Sequence, residues 1–265
     1  MPEGHTVHRT AKEFSNLFAG SEVTVSSPQG RFSAGAKLIS GRVLVKAKAI
    51  GKQLFLEFDN GLTLRIHLGI YGKWSFKKHQ GELPEAVGQV RARFVNHNHF
   101  ADLRGPTVCE VISKAEVKAV EKRLGPDPLN PNPKGQQEQR FVDKVQSSKT
   151  AIGLLLMNQD VISGIGNVYR AEILFRAGLS PHRPGSTLTE QEIRAMWADA
   201  VDLLKVGVKT GHMITRDELR AKKPNKADRN YVYKREGMPC RNCGTNVSIE
   251  IMATRKLYWC VSCQN

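Results

Sequence analysis

The chain has 265 residues, and its 40 Lys and Arg against 25 Asp and Glu give a formal net charge of +15 and a pI near 9.8. That length buries roughly 70–75% of the surface its unfolded form exposes, enough for one large domain or two to three small ones. No apolar run approaches the ~18–20 residues of a membrane span, and MPEGHTVHRT lacks the apolar stretch of a signal peptide. Membrane spanning and secretion are therefore set aside, and the positive surplus asks for a polyanionic partner.

In chain order, Val7, Ala11, Phe14, Leu17 and Phe18 fall on one helical stripe, with Gly20 as its stop. The period then changes. Arg42–Lys48 alternates, and Leu54–Phe58 and Leu62–His67 flank Asp59-Asn60-Gly61, a strong hairpin signal. Residues up to about 115 read as mostly β with one helix in front. The run 124–133 carries Pro126, Pro128, Pro131 and Pro133, which fit neither a helix interior nor a central strand, so it reads as a stiff, extended linker. Beyond it the composition is helical. Thr189 and Glu192 form a capping box ahead of the stripe Ile193, Met196, Trp197, Ala200, Val201 and Leu204, which Gly207 is expected to end. A polar, basic stretch, Arg216–Lys226, precedes the last segment.

Of five cysteines, Cys109 is alone and reads as a small buried hydrophobe. The other four form Cys240-x2-Cys243 and Cys260-x2-Cys263, separated by 16 residues. The odd total and the missing leader argue for reduced thiols in a cytosolic compartment, and this spacing grips one tetrahedral zinc ion across a β-hairpin. Four thiolates leave no open position, so one structural Zn2+ is expected, with Arg255 and Lys256 near the hairpin tip. Residues 207–265 hold 12 Lys and Arg and 5 Asp and Glu, a charge suited to phosphate.

Ser163–Phe175, SGIGNVYRAEILF, reads as a tight loop opening a helix, with Ala151–Met157 as a helix before it. Position 169 is Tyr and no strand precedes it, so this is no dinucleotide fingerprint. The glycines let backbone N–H groups approach an anion at a helix N-terminus, and Asn167 adds a donor. An ordinary turn between packed helices would look the same from this motif alone. At the start, removal of Met1 before Pro2 leaves a secondary amine. An α-amino group, at about 7.7–8.0, is far less protonated at neutral pH than lysine at about 10.4, so it can attack an aldehyde-like sugar C1′ to form an iminium, with Glu3 moving the proton.

Taken together, MPEG, IGKQLF (50–55), RLGPD (123–127), SGIGNVYRAEILF (163–175), VYKREGMPCRNCG (232–244) and RKLYWCVSCQ (255–264) resemble the formamidopyrimidine-DNA glycosylase/endonuclease VIII family, in the family's order and through nearly the whole chain. The resemblance implies an α+β multidomain fold: an N-terminal β-sandwich with a leading helix (1–123, catalytic), the linker (124–133), a helix–two-turn–helix domain (134–226) and a C-terminal zinc β-hairpin (227–265). It implies Pro2 as Schiff-base nucleophile, Glu3 as general acid/base, Lys52 in catalysis at the lesion and β-elimination, and Arg255 in δ-elimination. Asn167 would contact backbone phosphate and Arg123 DNA, as in the endonuclease VIII branch. HLGIYG (67–72) resembles the family's void-filling loop, with Ile70 and Tyr71 as the wedge that replaces a flipped base, although a buried strand would hold the same pair. One departure stands out: Thr6 occupies the place of a second family glutamate.

The expected protein is thus a monomeric, cytoplasmic, nucleoid-associated DNA glycosylase/AP lyase acting on damaged DNA, without membrane contact, and favouring oxidised pyrimidines. The rival reading is a non-catalytic zinc-finger protein that recognises abasic or single-stranded DNA.

Overall fold

The computed structural model describes residues 2–265; Met1 lies outside the described residues. The chain divides into two compact units, one ending at Arg123 and one beginning at Leu124. Among the described residues no helix is long and apolar enough to cross a membrane.

The first unit opens with α1 (Gly4–Leu17), followed by β1 (Glu22–Ser26), α2 (Ser33–Ile39), β2 (Arg42–Ile50), β3 (Gln53–Phe58), β4 (Thr63–His67), β5 (Lys73–Lys78), β6 (Val90–Val95), β7 (His99–Arg104), β8 (Val108–Ile112) and α3 (Lys114–Arg123). The strands are antiparallel in the order β5-β7-β6-β1-β2-β3-β4-β8. Among the described residues, β1 and β2 pair across the two halves at Glu22–Val43 and Val23–Arg42, and the halves close as a β-sandwich over one core. Leu44, Leu54, Leu56, Leu64 and Ile66 enter that core from one half, and Val23, Val25, Phe94 and Leu103 from the other. The apolar stripe of α1 completes it. Phe14, fully buried, meets Trp74, Phe76 and Phe94 edge-on at 4.8, 5.1 and 5.6 Å.

The hairpin at Asn60-Gly61 forms, but with a three-residue loop: Phe58 N–H donates to the Leu62 carbonyl, and the Asn60 side chain accepts from Leu62 N–H. Two helices were not expected from the pattern. The seven residues of α2 bury only Ala36 and Ile39, too few to show a period. The start of α3 is marked by a capping box, Ser113 with Glu116, on an otherwise polar helix.

The second unit holds α4 (Gln136–Gln146), α5 (Ile152–Leu155), α6 (Asn167–Arg176), α7 (Glu190–Thr210), β9 (Ser248–Met252) and β10 (Arg255–Trp259). The expected helix over Ala151–Met157 is a single turn, α5, because residues 156–166 go into the double turn that follows. The capping box of Thr189 and Glu192 opens α7 as expected. The helix does not end at Gly207, which is buried within it, but runs to Thr210 and is capped by Gly211.

The proline-rich run is non-helical up to Asn132, as expected, but does not stand free. Residues 125–128 are buried, Gly125 N–H donates to the Gln159 carbonyl, and the Pro126 carbonyl accepts from Ser163 N–H. These bonds make it a wall of the second unit and brace the turn that precedes α6.

Phe14→Ala removes the ring on which three aromatics converge. It should destabilise the first unit by about 3–5 kcal/mol in denaturant unfolding, the range for a fully buried phenylalanine.

Candidate functional site

In the first unit, Glu3 is the residue before α1, with extended backbone, and it is fully buried; Pro2 beside it is half-buried. Gly20 N–H donates to the Leu44 carbonyl at 2.8 Å, and the Ser15 hydroxyl lies 3.5 Å from the Ala47 carbonyl, so α1 runs antiparallel to β2. From Ser15 back to Glu3 the helix covers about 18 Å. From Ala47 forward to Lys52 the strand covers about 16 Å. The start of α1 and the β2–β3 turn therefore lie at the same end of the unit. That turn is Gly51-Lys52, where Gly51 takes φ +57 as the first residue of a two-residue hairpin loop, and Lys52 is half-buried.

Gln53 pairs with His67, the first residue of HLGIYG. Burial first, then the charges of Lys52 and Arg65, push the His67 imidazole below its ordinary 6.5. Ile70 and Tyr71 sit in the turn between β4 and β5 and are 44% and 84% exposed, so they are not buried strand residues. Thr6 places its hydroxyl 3.2 Å from His5 Nε2. Arg123 is exposed at the end of α3. Cys109 is half-buried against the core, and burial pushes its thiol up to about 12, which leaves a protonated, unreactive group.

In the second unit, the turn before α6 is shaped by Gly164 at φ +97, whose N–H donates to the Gln159 side chain at 3.0 Å. Gly166 is extended and α6 begins at Asn167. The Asn167 carboxamide is buried: Nδ2 donates to the Lys256 carbonyl at 2.9 Å, and Oδ1 accepts from Arg170. A second proton on Nδ2 is what an incoming acceptor would have to use. The structure thus brings Asn167 to the strand of Arg255. Arg255 opens β10, exposed, directly after the tip residues Ala253 and Thr254, which sit at φ 47 and 64. Positive φ is uncommon for alanine and an outlier for a β-branched residue such as threonine, so this tip is strained.

The Sγ atoms of Cys240, Cys243, Cys260 and Cys263 all lie within 4.8 Å of one another, with Cys240–Cys263 at 3.9 Å and Cys243–Cys260 at 3.5 Å. Sulfurs held about 2.3 Å from a tetrahedral ion stand about 3.8 Å apart, so this cluster can hold one metal ion. Hydrogen bonds from Thr245 bring the Cys243 thiol down to about 6, whereas burial raises Cys260 and Cys263. Gln264 closes the module, accepting from Cys260 N–H and donating to the Leu179 carbonyl.

Two residues of the site had no role in the sequence reading. Among the described residues Arg170 is the largest fully buried side chain, and Glu172 is equally buried. Glu172 accepts from the N–H groups of Tyr231, Val232 and Tyr233 at 2.7, 2.9 and 2.8 Å and from the Thr215 hydroxyl. The signal was in the motif. Val168, Tyr169, Ala171, Ile173, Leu174 and Phe175 make α6 apolar all round, so any charge among them must be internal.

Residues 1–109 match the formamidopyrimidine-DNA glycosylase N-terminal domain, and residues 124–218 match the formamidopyrimidine-DNA glycosylase H2TH domain. The chain is 46% identical to Endonuclease 8 1 of Mycobacterium tuberculosis, covering 100% of both. It superposes on the crystal structure of the MutM (Fpg) protein of Thermus thermophilus with a TM-score of 0.78 at 28% identity, over 99% of this chain and 98% of that one. The Lactococcus lactis formamidopyrimidine-DNA glycosylase bound to DNA containing an AP site shares the fold, with a TM-score of 0.79 at 21% identity and 99% of both chains covered. The chain belongs to the formamidopyrimidine-DNA glycosylase/endonuclease VIII family of DNA glycosylases.

Two outcomes test this geometry. The folded-state pKa of His67 is depressed, so its neutral form contributes stability that is complete above about pH 6.5 and lost as the pH falls. His67→Gln should flatten the acid side of the stability curve of the first unit below about pH 6.5, measured by denaturant midpoints. Cys243→Ser should lower bound metal from about one ion per chain to near zero. Hydrogen exchange over 240–263 should speed up, while the first unit keeps its unfolding midpoint.

Proposed function

We propose that the protein is a bifunctional DNA glycosylase/AP lyase that removes oxidised bases, pyrimidines above purines, and cuts the strand by β,δ-elimination. The observation that carries the reading is the placement of Pro2 and the buried Glu3 at the end of the first unit that also holds Lys52. With Met1 removed, the Pro2 amine attacks C1′ as the base departs with the amine proton. The C1′–O4′ bond then breaks, O4′ taking a proton from Glu3, and leaves a ring-opened iminium between protein and sugar. Glu3, fully buried, is the proton carrier. Loss of a C2′ proton expels the 3′ phosphate, and loss of a further sugar proton expels the 5′ phosphate. Lys52 serves the lesion and the first elimination, and Arg255 the second.

Thr6 offers a hydroxyl where a carboxylate would contact the sugar, so the base-removal step should be slower relative to strand cleavage than in a chain carrying glutamate there. Ile70 and Tyr71, exposed on a turn, suit insertion into the gap left by a flipped base. The pyrimidine preference is supported by the 46% identity to a protein named as an endonuclease 8. Asn167 and Arg123 are assigned to DNA contact. The metal is zinc on the chemistry of four thiolates, which saturate it, so it folds the last residues and takes no direct part in bond cleavage.

Extending the N-terminus beyond Pro2 with an uncleaved tag should abolish cleavage of abasic-site DNA while leaving the unfolding midpoint within about 0.5 kcal/mol. A gel assay of the cleaved ends reads this, and full activity of the tagged protein would overturn the mechanism and favour simple DNA binding.

A further inference from the structure

We infer that Arg170 is a positioning residue for Arg255: buried in the second unit, it holds the strand from which Arg255 projects. The inference rests on the proposed role of Arg255 in the second elimination. Arg170 is fully buried, and its guanidinium donates to the Gly153 carbonyl at 3.4 Å, to Asn167 Oδ1 and to the Lys256 carbonyl at 3.3 Å. A guanidinium only donates, so it turns the carboxamide oxygen of Asn167 toward itself and leaves Nδ2 to donate to the same Lys256 carbonyl. Two donors from α6 thus converge on one backbone oxygen, one residue along from Arg255.

That oxygen belongs to the residue next to Arg255, on a strand otherwise held by its pairing with β9 and by the burial of Leu257 and Tyr258. β9 and β10 form a two-stranded sheet, which is marginal alone, and its tip is strained at Ala253 and Thr254. Arg255 is exposed, so the place of its guanidinium depends on the backbone beneath it. Arg170 also reaches Gly153 in α5, so one side chain spans the first helical turn, α6 and the hairpin strand.

The test uses the full-length, metal-loaded protein. Arg170→Met keeps an unbranched apolar stem and removes the guanidinium with its donors. Amide exchange over residues 254–258 should speed up with metal content unchanged. On abasic-site duplex, the ratio of δ- to β-elimination product should fall about tenfold, within the hundredfold that a 1 Å misplacement costs. In an Arg255→Ala background, Arg170→Met should add nothing to that change, as expected of a residue acting through another. Arg170→Lys, which keeps the charge but cannot span both acceptors, should be intermediate, and it decides in place of Arg170→Met if that variant does not fold.

Unchanged exchange at 254–258, or a product shift that adds in full to that of Arg255→Ala, would overturn the inference. If Arg255→Ala alone leaves the product ratio unaltered, the proposed role of Arg255 fails, and the exchange measurement still decides whether Arg170 holds the strand.

Discussion

The second unit depends on the burial of α6 from every side. Asn167 through Phe175 are all buried. Tyr169, Ile173 and Leu174 pack into the helical core, and Ala171 and Phe175 into the core that includes Cys240, Tyr258 and Cys260. A helix shared by two cores has no outward face for its charged residues, so each must find its partners inside. Arg170 finds carbonyls and a carboxamide, and Glu172 finds three consecutive backbone N–H groups and a hydroxyl. The two positions are about 200° apart around the helix. One therefore holds the hairpin strand and the other the segment leading into the cysteine module. Helix α6 and a four-cysteine cluster that can hold one metal ion thus belong to the same module.

The first unit solves a different problem, fixing a buried carboxylate at the edge of an apolar core. Its β-sandwich buries the stripe of α1 down to Val7, and the helix continues to Gly4, so Glu3 is fixed as the residue before a helix start. The matched lengths of helix and strand bring Lys52 to the same end. In the proposed mechanism, removal of Met1 leaves Pro2 as a stiff, secondary amine beside this fixed carboxylate.

Features whose signal is local were legible in the sequence. Thr189 with Glu192, Asn60-Gly61 and the two Cys-x2-Cys pairs each carry their structure within a few residues. What failed depended on tertiary context. Glycine at position 207 and at position 211 looks alike in sequence, yet the first lies inside α7 and the second caps it. The prolines of 124–133 forbid helix, as read, but cannot say whether the chain floats or docks; the bonds to Gln159 and Ser163 do. Ile70 and Tyr71 fit a strand or a turn until exposure decides. The motif around Arg170 and Glu172 gives neither a role, because their meaning lies in residues 86 and 60 positions away, Lys256 and Val232.

The central claim is that the covalent bond to DNA is made by the N-terminal proline. Peptide mapping of the adduct formed when the protein and abasic-site DNA are reduced with borohydride tests it most directly. The account predicts the sugar remnant on the nitrogen of Pro2, in the peptide that begins Pro2-Glu3-Gly4. A remnant on Lys52 or any other lysine, with Pro2 unmodified, would contradict it.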